Sequence, residues 1–217
     1  MGNTPHFSIN GVGQVNNQSL PRVWDDAQAP GFAVGAGAAA PTIATLCNAA
    51  STASDVRLLK YSPTTIDRVH FTVQLPHDLA IPTLAGGGQT IQVRPHVHWT
   101  LAPSTGACST GETVIWEMGY VYASGSTVEA SAGRFSTVAS TIRTGTYTTS
   151  SQADVMGKHF ISKFGSGITM SSATASMFIV GTVHISSVAT CTRACLLGID
   201  WHYLKQPFGT VGEYSGY

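Results

Sequence analysis

Residues 91–100 read Ile91-Gln92-Val93-Arg94-Pro95-His96-Val97-His98-Trp99-Thr100, and this stretch decides the fold. A period of two sets Ile91, Val93, Pro95, Val97 and Trp99 on one face and Gln92, Arg94, His96, His98 and Thr100 on the other. That alternation marks a half-buried β-strand, whose successive side chains point to opposite faces. A second strand near the end of the chain, Ala194 to Leu204, reads as its counterpart. There Cys195, Leu197, Ile199, Trp201 and Tyr203 share an apolar face, and Asp200 and His202 point away. A sheet holding both strands buries Trp99 and Trp201. It leaves Arg94, His96, His98, Asp200 and His202 on its polar side, as a candidate polar interface.

The same period recurs outward from this pair. Val69, Phe71, Val73 and Leu75 alternate with Arg68, His70, Thr72 and Gln74, and Val114, Trp116, Met118, Tyr120 and Tyr122 form another such face. Ser176 to Ser186 reads as a long buried strand, with weaker strands at 55–61 and 158–164. Ser62-Pro63, Gly86-Gly87-Gly88, residues 103–111 and Gly165-Ser166-Gly167 punctuate them as turns. The total is about eight strands with no convincing helix, which predicts an all-β, antiparallel jelly-roll-like sandwich. Its expected core holds Trp24, Trp99, Trp116, Trp201 and Tyr203.

Around that body, residues 1–22 are rich in Asn, Gly and Gln and read as an extended N-terminal arm. Residues 23–54 read as an irregular anchoring segment. Trp24 fixes the arm, Asp25 and Asp26 make polar contacts, and Gly35, Gly37 and Pro41 break the Ala-rich run. The sandwich domain spans 55–206 and a C-terminal tail 207–217. Phe208, Tyr214 and Tyr217 in the tail are candidates for contacts with a partner.

Composition narrows the function classes. Charged residues make up only 10% of the 217 residues, with 43% hydrophobic and a formal net charge of +0. An average soluble protein carries roughly 25% charged residues. So neutral a surface suits a protein held in an assembly that covers much of it. No Lys/Arg cluster offers a patch for nucleic-acid phosphates, and no apolar run has membrane-spanning length. The opening MGNTPHFSING lacks the basic and apolar regions of a signal peptide, so we expect none. Cys47, Cys108, Cys191 and Cys195 show no paired zinc-site spacing. On one extended strand Cys191 and Cys195 stand about 13 Å apart, too far to bridge without a tight turn. Cys195 then reads as a buried thiol, and the expected compartment is a reducing cytoplasm.

The sharpest chemical constellation is His96-Val97-His98, with Arg94, Asp200 and His202, and further off His184 and Glu117, on polar faces. Histidines at i and i+2 share a strand face and can chelate one metal. Cupins, which are jelly-roll enzymes, use such a pair with a Glu soon after it. Here Thr100, Leu101, Ala102 and Pro103 follow His98, and Thr90 stands where that motif has Gly. These histidines therefore read as hydrogen-bonding groups on a sheet face or subunit contact, one that can respond to pH near neutrality. No GxSxG elbow, P-loop or spaced carboxylate pair occurs. No catalytic, cofactor-binding or metal residue is assigned, and no enzymatic activity or cofactor is expected.

Several short motifs together carry a resemblance. Trp24-Asp25-Asp26 precedes the Pro30-Gly31 loop, and Pro95-His96-Val97-His98-Trp99 follows. Val114, Trp116, Glu117 and Tyr120 come next, then Gly198-Ile199-Asp200-Trp201-His202-Tyr203, Lys205, Phe208-Gly209-Thr210 and Glu213-Tyr214. This order resembles a family of tailed-bacteriophage virion proteins over residues 24–214. Pro207-Phe208 departs from its usual small polar pair, and 123–155 has no counterpart. The resemblance implies a structural role and brings no catalytic residues. The expected protein is a head decoration or cement protein on the particle exterior, assembled in the host cytoplasm. Its expected partners are copies of itself in a homotrimer and the major capsid protein or other virion proteins, with no nucleic acid and no membrane. The alternatives are a tail, collar or fibre protein touching host glycan, and a metal-dependent jelly-roll enzyme.

Overall fold

The computed structural model describes residues 8–9, 15–16, 23–28, 32–34, 42–45, 57–61, 68–76, 90–101, 108–124, 134–150, 158–165, 167–171, 177–191 and 194–205. Among them every regular element is a strand and every pairing is antiparallel. The tail at 207–217, Cys47 and the side chain of Trp24 lie outside the described residues.

The fold is an antiparallel β-sandwich. Its first sheet is built on β8 (Thr90–Leu101) and β16 (Ala194–Lys205), paired with each other. The far edge of β16 is shared by β6 (Arg57–Tyr61) and β3 (Val23–Gln28), and β5 (Thr42–Thr45) extends β6. The far edge of β8 is shared by β13 (Phe160–Lys163) and β14 (Ile168–Ser171). The second sheet runs β11 (Ser140–Arg143), β10 (Trp116–Ala123), β15 (Phe178–Ile185), β7 (Val69–Gln74) and β4 (Phe32–Val34). Two small ribbons pair β1 (Ser8–Ile9) with β2 (Val15–Asn16), and β9 (Thr113–Val114) with β12 (Tyr147–Thr148). The chain crosses repeatedly between the two sheets, so most contacts join residues distant in sequence.

Alternation decides what lies between the sheets. Val93, Val97, Trp99 and Leu101 from β8 meet Phe71, Trp116, Met118, Ile179 and Val183 from the second sheet in one buried cluster. The ring of Phe71 lies 5.5 Å from Trp201, and Trp116 lies 5.3 Å from Tyr61 and 6.5 Å from Trp99. Trp99 also stacks on Phe160 at 4.6 Å and donates its indole N–H to Ser162 Oγ at 3.0 Å. Each such aromatic buries on the order of 150–250 Å², roughly 4–6 kcal/mol of apolar transfer. Gly181 makes room for this packing, since a Cβ there would stand 2.7 Å from Phe71 Cζ.

Pro95 sits inside a central strand, where a missing N–H normally breaks a ladder. Its carbonyl accepts from Phe164 N at 3.1 Å, so its nitrogen faces the same edge. That edge is where β13 ends and the turn through Gly165 and Gly167 leads into β14. Gly167 has φ 109° and lies against the Val93 carbonyl, at 2.8 Å from where a Cβ would stand. The lost donor of Pro95 therefore faces a gap between strands, and the ladder is intact on either side.

Three expectations change. β16 carries a bulge between Leu196 and Gly198. Leu196, not Leu197, faces the core: Leu196 is 5% exposed and Leu197 40%. A bulge adds one residue and shifts the period by one, which alternation cannot anticipate. Cys195 is buried but falls on the other side of β16 from Leu196, outside the core cluster. Residues 23–54, read as irregular, supply β3, β4 and β5, which pair with β16, β7 and β6. Cys191 pairs with Cys108 in a disulfide, Cα to Cα 4.9 Å, a partner that the sequence reading did not name.

Candidate functional site

The outer face of the first sheet gathers six titratable side chains from four segments. His96 and His98 project from β8 by the strand period. Past the bulge, Asp200 and His202 project the same way from β16. The ladder sets Asp200 opposite His96 and Gly198 opposite His98. Asp26 arrives on β3, opposite His202, and His159 lies just before β13, whose Ile161 stands opposite His98.

Three ligand-type atoms converge. His96 Nε2 and His98 Nε2 are 2.9 Å apart. Asp200 Oδ2 lies 2.9 Å from His98 Nε2 and 3.7 Å from His96 Nε2. The three side chains are 6%, 20% and 15% exposed, so the group is shielded yet reachable. A surrounding layer holds them. His98 Nδ1 meets His159 Nε2 at 2.6 Å, and the two rings stack. The His202 ring stands edge-on to His96 at 4.4 Å and is held by Asp26 Oδ1 at 2.7 Å from its Nε2. Burial holds the His96 pKa below the ordinary imidazole value, helped by His202 and His98 and opposed by Asp200 and Asp26. Burial thus favours the neutral His96 imidazole, the form with a lone pair to offer.

The expected polar set is divided by the structure. His96, His98, Asp200 and His202 come together. Arg94 is exposed and its guanidinium bonds Gln92 Oε1 at 3.1 and 3.3 Å along the same strand. His184 and Glu117 sit on the second sheet, as a separate group. There His184 Nε2 is 3.3 Å from Glu117 Oε1, and Glu117 Oε2 accepts from Arg143 and, at 3.5 Å, from Ser186 Oγ. Burial, with Arg68 and Arg143, holds the His184 pKa low against the pull of Glu117.

Sequence reading did not place His159 or Asp26 in the first group. Each enters through a strand pairing. The only local signals were the Trp24-Asp25-Asp26 run and a His just ahead of a strand. No family model matches the chain, and no curated protein matches it.

Proposed function

We propose that this chain is a non-enzymatic structural protein of a tailed-bacteriophage particle, a decoration or cement protein on the outside of the head. The observation that carries the reading is the low charge of the chain as a whole, 10% of its 217 residues. Uncharged residues such as His70, Thr72 and Gln74 on β7, Ser140 and Thr141 on β11, and Ile161 on β13 hold most of the exposed strand positions, beside the charged Asp26, Arg94, Arg143 and Lys163. Such faces suit contact with other copies and with a larger shell better than a solitary life in water. In this reading the subunits form a homotrimer that covers the outer face of the first sheet, where Ile161 and Leu197 are 56% and 40% exposed beside the histidines.

Two further features support it. Among the strands, β6-β16-β8-β13 in one sheet and β7-β15-β10-β11 in the other follow the order of two interlocked Greek keys, which favours a jelly roll. Jelly rolls are common among capsid and lectin domains. The Cys108–Cys191 disulfide suits a protein that ends on a particle surface, where disulfides persist.

The test is the copy number of the chain in purified particles, by quantitative mass spectrometry against the major capsid protein. Hundreds of copies support the head reading. A few to a few dozen replace it with a tail, collar or fibre role, and absence from the particle overturns both.

A further inference from the structure

We propose that His96, His98 and Asp200 form a binding site for a divalent transition-metal ion on the outer face of the first sheet. The inference goes beyond the structural role and does not depend on it. Two imidazole nitrogens and one carboxylate oxygen point at a common place from adjacent strands, with separations of 2.9, 2.9 and 3.7 Å. Ligands around a tetrahedral ion with bonds of about 2.0–2.1 Å stand about 3.3 Å apart, so little movement is needed. A proton on His98 Nε2 can be aimed at Asp200 or at His96, not linearly at both. A cation satisfies all three lone pairs at once.

The surroundings match what metal sites require. With its Nε2 on the metal, His98 carries its proton on Nδ1 and donates it to His159 Nε2, 2.6 Å away. That contact fixes the tautomer and the ring plane. The His202–Asp26 pair walls the His96 side. On the His98 side the bulge places Gly198 opposite, and a Cβ built there would meet nothing within 4 Å. The side of the cluster above Gly198 is therefore open to an ion and to a fourth ligand such as water. Two imidazoles with one carboxylate favour Zn²⁺ and its first-row neighbours over Ca²⁺ or Mg²⁺, which prefer oxygen. On binding, the proton between the two Nε2 atoms gives way to the ion and the imidazole that carried it takes one up on Nδ1, so both rings stay neutral.

The test uses the full chain, stripped with chelator and titrated with ZnCl₂ by calorimetry. The expected result is saturable binding of one Zn²⁺ per chain. His98→Ala and Asp200→Ala should weaken it about 100-fold or more, His159→Ala about 10–100-fold, and exposed His70→Ala not at all. Wild-type protein loaded with Co²⁺ should show the visible d–d absorption of a nitrogen–oxygen site, which holds the test open if a variant fails to fold. Absence of saturable Zn²⁺ binding, absence of that absorption, or binding that His98→Ala and Asp200→Ala leave unchanged would each overturn the proposal.

Discussion

Asp200 Oδ2 lies 2.9 Å from His98 Nε2, across the ladder that joins β16 to β8. The carboxylate is 15% exposed and, among the described residues, is the anion that pairs with both His96 and His98. In metal-free buffer Asp200→Ala removes their acceptor and leaves two partly buried imidazoles facing each other. We expect a loss of about 1–3 kcal/mol in urea unfolding. Asp26→Ala breaks a pair whose members are 52% and 39% exposed, and should change stability by less than about 1 kcal/mol. Equal effects from the two would contradict this ranking.

His184 gives a pH dependence on the other sheet. Its folded pKa is held below the ordinary value of 6.5 by burial, then by Arg68 and Arg143, against Glu117. The unfolded chain therefore takes up the proton first as the pH falls. Stability from this group is complete above about pH 6.5 and declines below it until the folded imidazole itself protonates. Its Nδ1 is buried with no partner among the described residues, so nothing there welcomes a proton. His184→Met should flatten the slope of unfolding free energy below about pH 6.5 relative to wild type. An unchanged slope would remove His184 from the account.

How far the sequence was legible follows from the same ladders. The alternation in 91–100 places Val93, Val97 and Trp99 in the core without any knowledge of their neighbours. Leu197 fails the same rule, because an inserted bulge residue leaves no trace in a two-residue period. Asp26 and His159 were invisible as site residues for another reason. Each joins the histidines only through cross-strand register, with β16 for Asp26 and with β8 for the residue ahead of β13. The Cys108–Cys191 pair spans 83 positions, and spacing alone says nothing about such a closure.

Two glycines separate tight packing from open space. A Cβ on Gly181 would collide with the Gly119 carbonyl and stand 2.7 Å from Phe71 Cζ, whereas one on Gly198 meets nothing within 4 Å. Gly181→Ala should cost about 1–3 kcal/mol by overpacking. Gly198→Ala should stay within about 0.5 kcal/mol. Thermal unfolding of the two variants side by side checks both values.

The disulfide ties the segment ahead of β9 to the turn after β15, where Thr190 N and Cys191 N both bond Thr113 O. Closing a loop of this length restricts the unfolded chain, and Cys108→Ser should lower stability by about 2–4 kcal/mol. A reducing agent should shift wild-type protein by the same amount and leave Cys108→Ser unmoved.

The central claim concerns where the chain resides, and electron cryomicroscopy of the intact particle tests it most directly. The account predicts density fitting this two-sheet sandwich on the outer surface of the head, repeated across the capsid lattice around three-fold contacts. A head surface bare of that density, with the chain found elsewhere or not at all, would contradict it.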